Sequence, residues 1–398
     1  MHATRISARG TRITGKDTEA LIHEDSVKAF VPYPLPPTEP ELRLDDALHR
    51  LLAQANHALG KLDGVAALSA QPDLDLLIYS YARKEAVLSS QIEGAQSSLS
   101  ELLLFEVEQA PGVPIDDVRE TLNYLHALDA GIAKVRTGEL PISNRLIRDA
   151  HGQLLASTRG SSKLPGDFRR SNVWLGGVRP RDARFVPPPW QEVQSLMGEL
   201  EKFINDEEPI GPLVKAALAH AQFETIHPFL DGNGRVGRLL VALILSVEGV
   251  LEQPMLYLSL YFKQHRDLYY DALQRVRTEG DWEGWIRFFL GGVIEVSNDA
   301  VGTAKRIISL VENDRGKVLT LSRAASATPL VFEYASRKVF VSPGRVSAEL
   351  DISQSSTNAA IMRLADAGIL YEITGKKRNR LFCYSEYLAI LNEGAQPL

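Results

Sequence analysis

Apolar residues recur at helical spacing along most of the chain. Leu44, Ala47, Leu48, Leu51, Ala55, Leu59 and Leu62 fall on one side of a helix over 44–62, and Asp73 to Ser90 reads as another. Core helices are expected at Asp117–Gly131 (Val118, Leu122, Leu125, Leu128) and at Ser143–Ala156 (Leu146, Ile147, Ala150, Leu154, Leu155), with Ser143 as N-cap of the second. Pro212 to Ile226 and Val236 to Val250 are strongly apolar helices, and Val293 to Asp314 is a long one. The helical period fails in three places. Residues 1–28 are polar and unpatterned, which predicts a disordered tail. Phe30 to Glu41 holds too many prolines for a helix and should lie extended. Between 166 and 189, Val173 and Leu175 precede paired glycines, and Phe185 and Val186 precede a proline block, which predicts a β-hairpin. Near the end, Val346–Leu350 and Ser355–Leu370 are spaced as a helix-turn-helix. Tyr371–Thr374 and Arg380–Tyr384 then pair as strands, the layout of a winged helix.

Composition narrows the classes. At 398 residues the chain has room for two or three domains, and 44% hydrophobic with 24% charged residues is ordinary for a soluble globule. A net charge of −6 argues against a surface given over to nucleic acid. A single cysteine, Cys383, excludes an internal disulfide and suits a reducing cytosol, so a cytoplasmic location is expected. No apolar run approaches the ~20 residues of a membrane span, so no membrane partner is expected.

The candidate chemistry lies in His227-Pro-Phe-Leu-Asp231-Gly-Asn-Gly-Arg235-Val-Gly-Arg238, between the two most apolar helices. A loop opening onto a helix N-terminus offers free N–H groups and the positive end of the dipole to an anion. Gly232 and Gly234 let backbone approach a ligand, and Arg235 and Arg238 supply forked donors for phosphate. Asp231 belongs among phosphates only if a hard cation such as Mg²⁺ lies between. His227 is the group there able to take a proton near neutral pH. The literal G-x-G-x-x-G follows a helix rather than a strand, so a dinucleotide site is rejected. His220, Glu224 and His227 share a helical face, but no fourth ligand supports zinc. Polar residues satisfied at a packing surface are the better account of His220 and Glu224.

The stretch resembles the Fic family motif, H-P-F-x-[DE]-G-N-G-R, at every defined position, and Arg238 matches its second arginine. The resemblance implies a mainly α fold: a Fic helical core with a β-hairpin flap, plus a C-terminal α+β winged-helix domain. The expected divisions are a tail over 1–28 and a proline strap with N-terminal helices over 29–110. The catalytic core then spans 111–300, and a linker helix with the winged helix 301–398. It implies a protein adenylyltransferase that moves AMP from ATP to a Ser, Thr or Tyr hydroxyl and releases pyrophosphate. His227 would be the base and Asp231 the Mg²⁺ ligand. Asn233 and the amides of Gly232, Gly234 and Gly237 would cradle phosphates, Arg235 and Arg238 would neutralise them, and Tyr270 would contact the nucleotide. Ser89-x-x-x-Glu93-Gly94 looks like the family's inhibitory motif, with Glu93 pairing Arg238 where the γ-phosphate would bind. The flap (173–186) would present the target by backbone pairing. Self-modification is expected and a homodimer is left open. Removal of AMP at the same site, or a DNA-binding regulator whose Fic domain senses ATP, are the alternatives. For the winged helix, protein docking is preferred over DNA reading by Lys376, Lys377, Arg378 and Arg380.

Overall fold

The computed structural model describes residues 14–22, 25–67, 75–108, 115–206, 210–321 and 327–397. Its chain opens on strands β1 (Gly15–Ile22) and β2 (Asp25–Pro32), then runs through α1 (Asp46–Ala67), α2 (Asp75–Ile92), α3 (Leu99–Glu108), α4 (Ile115–Arg136) and α5 (Asn144–Leu154). After an irregular stretch come α6 (Trp190–Asn205), α7 (Pro212–Ile226), α8 (Asn233–Val247), α9 (Ser259–Gln264), α10 (Arg266–Glu279) and the 40-residue α11 (Trp282–Leu321). The C-terminal part holds α12 (Thr328–Lys338), β3 (Phe340–Val341), α13 (Pro343–Glu349), α14 (Gln354–Asp366), β4 (Tyr371–Glu372), β5 (Phe382–Cys383) and α15 (Ser385–Asn392).

The centre is α7. Every residue from Leu213 to Ile226 is buried, so this helix has no solvent face and α6, α8, α10 and α11 pack around it. Trp285 of α11 donates from Nε1 to the Ala217 carbonyl at 2.8 Å. With Phe262, Tyr269 and Phe289 it forms an aromatic wall beneath the site. The long α11 carries α1 along one side and leads to the C-terminal elements, where β3 and β4 both pair antiparallel with β5. The chain's last described segment returns to the core. Gln91, at the end of α2, donates to the carbonyls of Ser97 and Ala395 at 2.8 and 3.0 Å and accepts from Lys263 Nζ at 2.7 Å.

Two expectations need correction. Residues 15–22 and 25–28 of the expected disordered tail belong to an antiparallel pair of strands, in which Gly15 faces Pro32 and Ile22 faces Asp25. Ala20, Ile22, Val27 and Ala29 make one buried face, a period-2 pattern hidden by the charged residues of the other. Residues 1–13 and 23–24 of that tail lie outside the described residues. The predicted flap hairpin is a single antiparallel bridge, Leu175 to Phe185, closed by N–H···O bonds of 2.8 and 3.1 Å. Gly177 (φ 76) turns the chain where a Cβ would strike the Asp182 carbonyl, and Pro180–Asp182 coils into one 3-10 turn. The support that an isolated bridge lacks comes from β2: Phe30 donates to the Val186 carbonyl at 3.0 Å, and Trp174 and Ala183 pack on the hairpin's buried face.

Candidate active site

The loop between α7 and α8 is set by unusual backbone at both ends. His227 closes α7 in the left-handed region (φ 50, ψ 62), a conformation costing a non-glycine residue about 1–2 kcal/mol. Gly232 (φ 77) turns the chain into α8. Between them Phe229 is fully buried and stacks on His151, ring centres 3.7 Å apart. Asn233 latches this turn, its Oδ1 accepting from Phe229 N–H and its Nδ2 donating to the Phe229 carbonyl, both at 2.9 Å. His151 ties it to α5. Nδ1 accepts from Gly166 N–H at 2.9 Å, which leaves Nε2–H to donate to the Asp231 carbonyl at 3.0 Å. Burial lowers the His151 pKa to about 4, so it stays neutral in that role.

A cavity of about 490 Å³ opens over the loop, with His227, Asp231, Gly234 and Arg238 on its floor and Glu93 and Tyr270 on its walls. The first N–H groups of α8 have no intrahelical partner and stand at the helix start beside the cavity. Arg238 is enclosed. It donates from Nε to Ser89 Oγ at 2.9 Å, and from Nη2 to the Ser89 carbonyl at 2.8 Å and Glu93 Oε1 at 2.9 Å. Ser89 and Glu93 thus converge on Arg238 from one face of α2, and Gly94 (φ 96) ends the turn. Gly234 admits the carboxylate: a Cβ there would collide with Glu93 Oε1. Only 2% of the Arg238 side chain is exposed, whereas 37% of Glu93 is open to the cavity.

Charge around the cavity is lopsided. Burial works against ionised Glu93, but Arg238 outweighs it and holds the carboxyl below its usual range. Burial, then the cations Arg169 and Arg277, lower the His227 pKa to about 3, so the imidazole is neutral across physiological pH. Burial lowers the pKa of Arg277 to about 10; its Nε donates to Thr225 Oγ1 at 3.1 Å and its guanidinium lies 3.9 Å above the Phe185 ring of the flap. Glu224 lines the cavity with Oε1 unpartnered, and burial raises its pKa to about 7. It is therefore not the satisfied packing residue that the sequence suggested. His220 is satisfied at one nitrogen: its Nε2 shares a 2.8 Å hydrogen bond with the buried Tyr269 hydroxyl and the ring stacks on Trp285, while its Nδ1 is unpartnered.

Some expected phosphate ligands are otherwise engaged. Arg235 is 5% exposed and bonds Glu120 Oε2 at 3.0 Å, its Nη2 lying 3.6 Å from Asp231 Oδ1. It braces the loop from behind rather than lining the cavity. Asn233 spends its amide on Phe229. Gly237 sits in the second turn of α8, beyond the free N–H groups, and lets α8 approach α7, since a Cβ there would stand 2.7 Å from Glu224 Oε1. Glu120→Ala would remove the nearer of Arg235's two counter-charges, the buried one, and should lower stability by about 3 kcal/mol in chemical denaturation.

Asp231 suits a hard cation. One oxygen accepts from Gly232 N–H at 2.6 Å and nearly half the side chain is open. Among the described residues no cluster of three His, Cys, Asp or Glu side chains could hold a metal alone. A single carboxylate plus phosphates and water is how Mg²⁺ is commonly held.

These buried groups also set the acid stability. His151, His220 and His227 have pKa values lowered to about 4, 4 and 3, so the unfolded chain takes up protons near pH 6.5 that the fold excludes. Stability from them is lost as pH falls below 6.5. Glu85 and Glu224, raised to about 7, have the opposite sign and cost stability as pH rises from 4.5 to 7. The two sets oppose each other between 4.5 and 6.5. Below 4.5 that opposition ends: His151 and His220 go on removing stability only to about pH 4 and His227 to about pH 3, each by up to ~1.4 kcal/mol per pH unit, and the lowered carboxyl of Glu93 adds to the loss. A denaturation midpoint that falls no faster between pH 4.5 and 4 than above 4.5 contradicts this.

Residues 49–133 match the model of the Fic/DOC family N-terminal region and residues 141–245 that of the Fic/DOC family. The chain thus contains a Fic/DOC N-terminal region and a Fic/DOC domain. It is similar to a protein named protein adenylyltransferase Fic in Aedes aegypti, 33% identical over 231 residues, which is 56% of this chain and 43% of that one. The protein of the same name in Culex quinquefasciatus is 39% identical over 125 residues, 31% of this chain and 22% of that one. The chain thus spans less than half the length of these curated relatives. Among solved structures, a Fic family protein from Desulfovibrio desulfuricans G20 superposes with TM-score 0.57 at 19% identity, covering 86% of this chain and 97% of its own. A Fic domain containing signaling protein from Bacteroides thetaiotaomicron VPI-5482 gives TM-score 0.51 at 19%, covering 63% and 97%. These two likenesses concern the fold.

Proposed function

We propose that the chain is a protein adenylyltransferase: it transfers AMP from ATP to a hydroxyl of a protein side chain and is restrained by Glu93. The observation that carries this is the Glu93–Arg238 pair, a carboxylate seated on a buried cation of the cavity that also contains His227. ATP would lay its triphosphate along the α8 N-terminus, with the γ-phosphate on Arg238 once Glu93 withdraws. His227 Nδ1 is enclosed, so Nε2 takes the proton of the incoming hydroxyl. The hydroxyl oxygen bonds to the α-phosphorus as the bond to the bridging oxygen breaks, and pyrophosphate leaves with the electron pair. The phosphates' negative charge beside His227 raises its pKa from about 3, toward the range in which a base is effective. Mg²⁺ held by Asp231 would neutralise phosphate charge. The flap edge, braced by β2, would pair with the target's backbone, and Tyr270 would contact the base.

Removal of AMP from a target is a second reading, with Glu93 orienting water instead of blocking phosphate. Assay of both directions with wild type and Glu93→Gly separates them, because loss of Glu93 promotes transfer but prevents removal. We read the C-terminal elements as a winged helix that docks protein. The tip residues Lys376, Lys377 and Arg378 are exposed. Reversing their charge should leave AMP transfer unchanged. DNA binding by the full chain that is steeply salt-dependent and abolished by this reversal would favour the regulator instead.

A further inference from the structure

We infer that Arg169 is a positioning residue that fixes the distance between the base His227 and the flap on which a target would lie. The inference rests on the adenylyltransferase reading. Arg169 is 1% exposed and lies in the irregular stretch after α5, where no periodicity marks it. Its Nε donates to the His227 carbonyl at 2.9 Å, its Nη1 to Ser171 at 3.0 Å, and its Nη2 to Pro188 and, at 3.4 Å, to Ile226. Its own N–H bonds the Pro228 carbonyl at 2.9 Å.

All these acceptors are main-chain carbonyls, and they fall into two groups. Ile226, His227 and Pro228 bear the base; Ser171 and Pro188 are the two feet of the flap. One rigid, planar guanidinium therefore spans both, which a lysine's point charge on a flexible stem cannot do. It also accounts for the left-handed His227, whose carbonyl is held by Nε while its N–H still caps α7 at the Phe223 carbonyl, 2.9 Å away. No carboxylate lies within ion-pair distance of Arg169 among the described residues. Burying a cation without counter-charge is costly, and burial pulls its pKa to about 10. Packing alone would be met more cheaply by an apolar side chain. The bonds between loop and flap are what the arginine adds.

The test uses the full chain in a Glu93→Gly background, with Arg169→Lys and Arg169→Ala. ATP affinity should stay within about twofold, since no nucleotide-facing group is touched. The rate constant for AMP transfer onto the chain itself should fall about 10²-fold, the scale of a misplacement near 1 Å. Added guanidinium ion should restore part of the Arg169→Ala rate, and methylammonium should not. Hydrogen exchange should rise together at residues 171–188 and 226–232 and stay unchanged elsewhere. A rate within threefold of the parent, or loss of ATP affinity in step with the rate, overturns the inference. So does unchanged exchange at either segment, whatever the activity. A parent that transfers no AMP defeats the adenylyltransferase reading instead, and the exchange result still decides on Arg169.

Discussion

Replacing Glu93 by glycine is expected to raise AMP transfer about tenfold or more. The carboxylate holds Arg238 through a charge-assisted bond of 2.9 Å, and 37% of Glu93 faces solvent in the cavity, which screens the pair. Discounted for that screening, the contact is worth about 1.5 kcal/mol, the low end for hydrogen bonds to charged groups and roughly tenfold in occupancy. Removing it frees the guanidinium for the γ-phosphate. Arg238→Ala in the same chain should cancel the gain, because the released site then lacks its cation. Steady-state transfer with single and double variants measures both. If Glu93→Gly is no more active than wild type, Glu93 is only a structural partner of Arg238.

His227→Ala should reduce transfer by about 10²–10⁴-fold, the usual worth of a general base. Of the other groups that line the cavity, Arg238 is a cation, Asp231 accepts from Gly232 and Glu93 from Arg238; Glu224, raised to about 7 by burial, is given no part in the transfer and leaves the residual rate at the upper end of that range. ATP should bind as before, since the free N–H groups of α8 and Arg238 are untouched. Calorimetric titration of ATP alongside the transfer assay separates the two effects. Turnover near wild type in this variant contradicts the mechanism.

Elements with a strong period were legible in the chain. Pro212–Ile226 appears as a helix with those bounds because its apolar residues run to the loop at His227. Ser143 caps α5 as expected, accepting from Leu146 N–H at 3.3 Å. The pairing of Glu93 with Arg238 was implied by the family motif, whereas the bonds from Arg238 to Ser89 were not expected. What escaped was tertiary. α3, α6, α9, α10, α12 and α15 lie where no helix was expected from the sequence. Helix α8 starts at Asn233, three residues before the first apolar residue, because its opening turn is spent on an asparagine, a glycine and an arginine. The β1–β2 hairpin was hidden by alternating charges in a segment without a turn signal. Arg235 reads as a phosphate ligand until Glu120, 115 residues away, is seen to hold it. Arg169, Arg277 and Glu224 stand alone in sequence as a loop cation, a helix cation and a polar spot. A buried histidine at helical spacing from Ile147 was the one available signal for His151.

The central claim is that the α-phosphorus is the atom attacked. Glu93→Gly, incubated with ATP labelled at either the α- or the γ-phosphate, tests it most directly when protein-bound label is counted. The account predicts label on protein from α-labelled ATP only, with pyrophosphate released in equal amount and none bound when His227 is also replaced. Label carried over from the γ-phosphate, or from neither, would contradict it.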